Sequence, residues 1–152
     1  MEKFVTGILE ENEDGATYQS IVYDRFLKVR CANNELITIF DIPEPISTYL
    51  NAGKVYTFVL SAFVSGLRYI EQTPVDSKEE TGFMGGLIIN PEWSATNSIF
   101  QYTRPELYDC TWILVATRLG HVLIDAAELQ IIPIINSYLV WSSQRWDLYA
   151  VV

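Results

Sequence analysis

Apolar side chains recur at every second position along much of this chain, and this spacing constrains the fold more than any other feature. In residues 27–31, for example, apolar side chains alternate with Lys28 and Arg30, which places the two basic residues on one face of a strand. Residues 54–63 are apolar on both faces, which indicates a strand that is central or covered on both sides. The spacing therefore predicts a mainly β protein.

Turn residues divide these strands into hairpins. Residues 43–53 begin with proline and end with glycine, a pattern typical of a short helix, which we expect near 44–52. The predicted hairpin turns lie at 12–15 and 33–34, and the predicted strand pairs are 54–63 with 67–72, 110–118 with 121–126, and 136–142 with 145–152.

The order of the elements in residues 3–72 is strand, strand, strand, short helix, strand, strand, which is the order of an OB-type barrel. We therefore expect a small OB-like or SH3-like barrel in the N-terminal half and a second antiparallel sheet after it. The two sub-halves, 1–72 and 83–152, are joined by a polar loop at 73–82. Each has only about 70 residues from which to build a core. Residues 1–152 are therefore expected to form a single compact domain.

The charge balance narrows the choice of partners. Ten Lys and Arg residues stand against nineteen Asp and Glu residues, a net charge of −9. Such an acidic chain repels phosphate, so we expect no nucleic acid and no anionic membrane as partner. Single-stranded nucleic-acid binding by the barrel half stays an alternative only through a local patch at Lys28 and Arg30.

The expected compartment is the cytoplasm. The first residues do not resemble a signal peptide, and the longest uncharged run, 129–144, is too short and too polar for a membrane helix. Cys31 and Cys110 are expected to be reduced, buried thiols rather than a disulfide.

Few residues could carry catalysis. Cys110, His121 and Asp125 resemble a nucleophilic triad, but a hairpin closed at 119–120 would hold the thiol and the imidazole far apart. One histidine and two separated cysteines fit no zinc site, so we expect no metal and no cofactor. Paired carboxylates, with Asp109 and Asp125 as candidates, leave a small carboxylate-dependent hydrolase as an alternative.

Residues 93–112 have the most unusual local composition. Aromatic and arginine side chains are typical of the energetic centres of binding sites. We therefore predict a binding surface formed by Trp93, Tyr102, Arg104 and Tyr108. The alternative is that the large rings are core and Arg104 makes a structural ion pair.

The segment 138–152 is apolar on both faces. It is either an internal strand or an edge that pairs with another copy of the chain, with Tyr138, Trp141, Trp146 and Tyr149 as the oligomer interface. Together these features favour a non-catalytic binding or assembly module that engages a protein partner or itself, with a homodimer as the expected assembly.

Overall fold

The computed structural model describes residues 2–14, 17–18, 21–22, 25–42, 44–71, 84–95, 100–104, 110–129 and 133–152. The protein is mainly β, as predicted, with 65% strand and 2% helix. The strands of the described residues are β1 (Val5–Asp14), β2 (Thr17–Tyr18), β3 (Ile21–Val22), β4 (Arg25–Cys31), β5 (Leu36–Asp41), β6 (Val55–Ser65), β7 (Arg68–Ile70), β8 (Met84–Trp93), β9 (Tyr102–Thr103), β10 (Trp112–Thr117), β11 (Gly120–Asp125), β12 (Tyr138–Trp141) and β13 (Ser143–Val151).

Five strands close into a barrel, in the order β6-β1-β4-β5-β13 and back to β6. The closing pair is β13 with β6, whose antiparallel register runs from Ser143 opposite Ser65 to Val151 opposite Phe58. On its other side β13 runs parallel to β5. The predicted small barrel is therefore confirmed. The ring is not built from the N-terminal half alone, because the last strand of the chain completes it.

Further strands extend the sheet beyond the ring. β11 runs parallel to the second half of β6, with Val122 opposite Leu60, while the first half of β6 pairs with β1. From β11 the sheet continues through β10, β8 and β12 to β7, and β9 adds to β13. Strand β6 is thus the branch point at which the sheet leaves the ring, which agrees with the predicted central position.

Two of the five predicted hairpins are found and two are wrong, while residues 12–14 of the turn expected at 12–15 belong to β1 and residue 15 lies outside the described residues. β4 pairs with β5 across the turn at Asn34, whose φ is 66°, and β10 pairs with β11 across Gly120. β7, however, pairs with β12 rather than β6, and β12 pairs with β7 and β8 rather than β13. The two wrong pairs join strands that follow each other in sequence but lie on different parts of the sheet.

The short helix expected near 44–52 is also wrong, because these residues form turns. The carboxylate of Asp41, the last residue of β5, accepts the backbone N–H groups of Ile46 at 3.0 Å and Ser47 at 2.8 Å. It also accepts the Ser47 hydroxyl. Leu50 then donates its N–H to the Ser47 carbonyl at 3.0 Å, which closes a single turn. The loop is thus held by a buried side chain rather than by a helical backbone ladder.

The core has two parts. The inner core fills the ring and continues without a break under the outer strands, and the outer core lies on the other side of β6. The inner core includes Val5, Leu9, Leu27, Val29, Ile39, Phe58, Leu60, Ile88, Ile113, Val122, Leu139, Trp146 and Leu148. The outer core comprises Val59, Trp93, Ala95, Trp112, Leu114, Leu123, Tyr149 and Ala150. No helix in the described part of the chain is long and apolar enough to cross a membrane.

Candidate binding surface

Two of the four residues predicted to form a binding surface are buried in the fold. Trp93 and Arg104 are buried, with exposed fractions of 6% and 4%. Tyr102 is half-buried and stacks on Tyr49, with ring centroids 5.5 Å apart and planes 12° from parallel. Tyr108 lies outside the described residues. The structure therefore places Trp93 and Arg104 in the interior, as the alternative interpretation of this region had it.

Arg104 is the centre of a buried polar network. Its Nε donates to the carbonyl of Leu148 at 2.9 Å and one terminal nitrogen donates to the carbonyl of Glu44 at 2.7 Å. The other terminal nitrogen forms an ion pair with Asp41, which also accepts from Ser47. Arg104 thus ties the segment after β9, the loop after β5 and strand β13 together. A guanidinium held in this way is structural.

Trp93 belongs to an aromatic cluster in the outer core. Trp93 meets Phe4 at 6.3 Å and Tyr149 at 6.0 Å between ring centroids, both edge to face. Trp112 meets Tyr149 at 5.7 Å in the same manner, and Phe100 completes the cluster. The Trp112 indole nitrogen is buried and has no hydrogen-bond partner among the described residues. These contacts are core packing.

Most of the residues predicted to form an oligomer interface also face inward. Trp141, Trp146 and Tyr149 are 5%, 8% and 0% exposed within a single chain, and Tyr138 is half-buried. The Trp141 indole N–H donates to the side chain of Gln144 at 2.6 Å. The segment thus occupies the internal-strand position that the sequence left open, and an interface at these four residues stays a prediction.

The groups considered for catalysis are separated. His121 lies opposite Ala116 in the β10–β11 pair, while Asp125 lies opposite Trp112 at the far end. The Asp125 carboxylate accepts the N–H of Ala127 at 2.9 Å and caps the 3-10 turn Ala126–Glu128. Asp109 lies outside the described residues. Within those residues, no group of three or more His, Cys, Asp or Glu side chains is placed to hold a metal ion.

The two thiols differ in their surroundings. Both are free, but only Cys31 is buried, and Cys110 is half-buried. Burial, and then the nearby Glu35 carboxylate, raise the pKa of Cys31 above its ordinary value, which keeps this thiol protonated and unreactive. The imidazole of His121 accepts the backbone N–H of Lys3 through Nδ1 at 3.0 Å. Burial lowers the pKa of His121.

A cleft of about 390 Å³ lies between the turns of the β4–β5 and β10–β11 hairpins. Its polar side chains are already engaged with the chain itself. Thr117 donates its hydroxyl to the Gly120 carbonyl at 2.8 Å, and Arg118 forms an ion pair with Glu35 across the two hairpins. Asn33 accepts the N–H of Glu35 at 3.0 Å. These contacts brace the two hairpins against each other.

Three phenylalanines and an arginine contact one another in a continuous row on the outside of the ring, in which Phe63 is exposed and the other three are half-buried. We call it the aromatic–arginine stripe: Phe26, Phe40, Phe63 and Arg145. The Phe26 and Phe40 rings meet edge to face at 5.0 Å, and the Arg145 guanidinium carbon lies 5.7 Å from the centre of the Phe40 ring and 4.9 Å from that of Phe63. Phe63 is 65% exposed although it lies within β6. The stripe thus places an arginine between aromatic faces on open surface.

Strand register explains why these side chains meet. Phe26 lies directly opposite Phe40 in the β4–β5 pair, and Arg145 lies directly opposite Phe63 in the β13–β6 pair. Their neighbours along each strand, such as Ile39 and Ala62, are buried in the inner core. Since side chains alternate across a strand, the stripe must face outward.

The charges around the stripe are balanced in pairs. Asp147 binds Arg145 at two points, at 2.7 Å and 3.0 Å. Lys28, whose ammonium donates to Thr38 at 2.9 Å, lies opposite Glu11 in the β1–β4 register. The stripe therefore carries little net charge, although the whole chain is strongly acidic.

The sequence offered one signal for the stripe. Phe63 belongs to a strand that is apolar on both faces, and the second face was expected to be covered. The outer core covers Val59 on that face but leaves Phe63 and Val55 exposed, at 65% and 62%. The meeting of Phe40 with Arg145 depends on the parallel β5–β13 pair, which joins strands a hundred residues apart.

The chain is similar to one curated protein over part of its length. The urease accessory protein UreD of Bacillus sp. (strain TB-90) is 30% identical over 63 residues, which cover 40% of this chain and 23% of UreD. The chain thus matches less than a quarter of that protein. No protein-family model matches the chain. No solved structure matches it either.

Proposed function

We propose that this chain is a non-catalytic binding module that assembles with a protein. The observation that carries the proposal is the aromatic–arginine stripe, and above all the 65% exposure of Phe63. Aromatic rings grouped around an arginine at the surface have the composition of the residues that dominate protein–protein binding energy. A contiguous apolar surface of this kind is unfavourable in water and is used for contact with a partner.

The partial match to UreD supports the same kind of role. UreD is named as an accessory protein of urease, so it serves another protein. We propose that this chain likewise acts beside a protein partner, and urease is the first candidate partner to test. The match covers only 63 residues. The proposal therefore rests on the aromatic–arginine stripe as well as on the match.

The basic residues on the ring favour a protein over a nucleic acid as partner. Arg30 forms an ion pair with Glu10 at 3.0 Å, and Lys28 donates to Thr38. Both side chains of the patch considered for single-stranded nucleic acid are thus engaged within the chain. We place the role in the cytoplasm, where two free cysteines would stay reduced.

Site-specific photo-crosslinking tests the proposal. A photoreactive phenylalanine analogue is placed at Phe63 and, as the matched control, at Val55, which is equally exposed on the same strand. We expect a protein to be crosslinked in cells from position 63 and not from position 55. The crosslinked protein is then purified and titrated with the chain by calorimetry.

The expected result is saturable binding by the purified protein that Phe63→Ser weakens and Val55→Ser does not. The proposal is contradicted if position 63 crosslinks no more than position 55, or if the crosslinked protein does not bind when purified. Purified urease is titrated in the same way, and its failure to bind removes urease as the partner.

A further inference from the structure

We infer that the aromatic–arginine stripe is the contact between two copies of this chain related by a two-fold axis. The inference rests on the proposed function, because it names the partner that the stripe binds. It starts from the outward side chains of β6. Val59 is fully buried by the outer core, whereas Phe63, four residues later on the same face, is 65% exposed. The chain thus covers this face of the strand only in part.

The charges of the stripe indicate which kind of surface covers the exposed part of this face, around Phe63. In a two-fold contact each surface meets its own copy, so a surface with one sign of charge repels itself. The stripe avoids this, because Arg145 is held by Asp147 at two points and Lys28 lies in register with Glu11. Arg145 thus has an acid bound to it, and Lys28 has one opposite it on the next strand.

The same balance argues against a strongly charged foreign surface as the occupant. A basic partner would be attracted by the nineteen acidic residues of the chain, but the stripe itself would give it no excess of acid to bind. The stripe of a second copy brings one Arg145 and one Asp147, so each Arg145 can meet an Asp147 across the axis while keeping its own. Charge complementarity thus favours a second copy.

The arrangement of the rings fits a two-fold contact. Arg145 lies between Phe40 on one side and Phe63 on the other, at 5.7 Å and 4.9 Å from the ring centres. An axis near Arg145 places Phe63 of one copy on Phe40 of the other, which buries both rings twice. Rings buried in this way at the centre of a contact dominate its affinity.

Sedimentation equilibrium of the purified chain tests the inference. We expect a species of twice 17.4 kDa at tens of micromolar, a concentration range typical of weak dimers. Phe63→Ser is expected to weaken the dimer by about 30-fold or more, the effect of removing a dominant side chain. Val55→Ser, the control on the same strand, leaves the dissociation constant unchanged. Circular dichroism confirms that each variant is folded, which the exposure of both side chains favours.

Two results overturn the inference. One is a 17.4 kDa species that persists at about 100 µM, a concentration that would populate even a weak dimer. The other is a dimer that Phe63→Ser and Val55→Ser leave equally intact. In either case a foreign protein crosslinked from position 63 still supports the proposed function, so the two failures are distinguishable.

Discussion

Arg104 shows how a residue with the chemistry of a binding site can serve the fold instead. It was predicted to contact a partner, yet it is 4% exposed and donates to Leu148, Glu44 and Asp41. Replacing it by methionine keeps the length of the side chain and removes its charge. Asp41, which is fully buried, then loses its counter-charge.

We expect Arg104→Met to lower the free energy of unfolding by about 3–5 kcal/mol, the cost of leaving a buried charge unpaired. Urea denaturation followed by tryptophan fluorescence measures the change. Arg104→Met combined with Asp41→Asn should recover part of the loss, because no charge is then left unpaired. A single variant as stable as the wild type would show that the network contributes nothing.

His121 makes stability depend on pH. Its Nδ1 accepts the Lys3 N–H, which requires a neutral ring, and burial lowers its pKa below the ordinary 6.5 despite the opposing field of Glu2. The unfolded state therefore binds a proton at higher pH than the folded state. The free energy of unfolding should fall as the pH drops below about 6.5 and should level off below the folded-state pKa.

Denaturation at several pH values from about 7.5 to 5 covers this range. His121→Asn keeps an acceptor near the same position and cannot titrate. We expect the difference in stability between the wild type and this variant to change with pH in the stated direction. A difference that is constant over the range would rule out a contribution from His121.

At the scale of the element, glycine decides how closely strands approach. Gly86 lies in β8 between β10 and β12, and a Cβ added there would overlap the carbonyl group of Ala116. We expect Gly86→Ala to lower the free energy of unfolding by about 1–3 kcal/mol, as overpacking does. Thermal melting measures the effect.

Gly53 provides the matched control for Gly86. It lies in a turn at φ +87° with open space where a Cβ would be. Gly53→Ala should therefore cost only the strain of the left-handed backbone, about 1 kcal/mol. If both variants melt at the same temperature, the close approach of β8 and β10 is not what requires glycine at position 86.

The pairing of strands shows which parts of the fold the sequence could predict. The β4–β5 and β10–β11 hairpins are local, so their turn residues and alternation were enough. The pairs β7–β12, β6–β13 and β5–β13 join distant segments, and no local pattern records them. The proline–glycine pattern at 43–53 was interpreted as a helix but belongs to a loop. That loop is held by hydrogen bonds to the Asp41 side chain, which lies outside the pattern.

The candidate site was missed for the same reason. Phe26, Phe40, Phe63 and Arg145 lie on four strands and come together only when the ring closes. Residues 93–112 have a more conspicuous composition, but their large rings are used inside the outer core. Composition can identify rings suited to binding. Only the strand order decides which of them remain exposed.

At the scale of the whole molecule, the net charge of −9 disfavours binding to nucleic acid. We expect no detectable binding of single-stranded DNA at physiological salt, because the screening length there is only about 8 Å, Arg30 is paired with Glu10 and Lys28 is bonded to Thr38. Fluorescence polarisation with a labelled oligothymidine measures this. A micromolar affinity that weakens steeply with added salt would contradict it and would indicate the region of Lys28 and Arg30.

The closing strand of the barrel has a consequence for biosynthesis. Strand β13 (143–151) lies between β5 and β6 in the ring. Both of those strands are therefore synthesised long before β13. During that interval the free edge of each strand presents unpaired backbone groups and apolar side chains to solvent. Closure of the ring is therefore a late event that pairs residues 78 to 107 positions apart, which makes it slow relative to hairpin formation. Nascent chains of this protein should be natural clients for chaperones that shield strand edges.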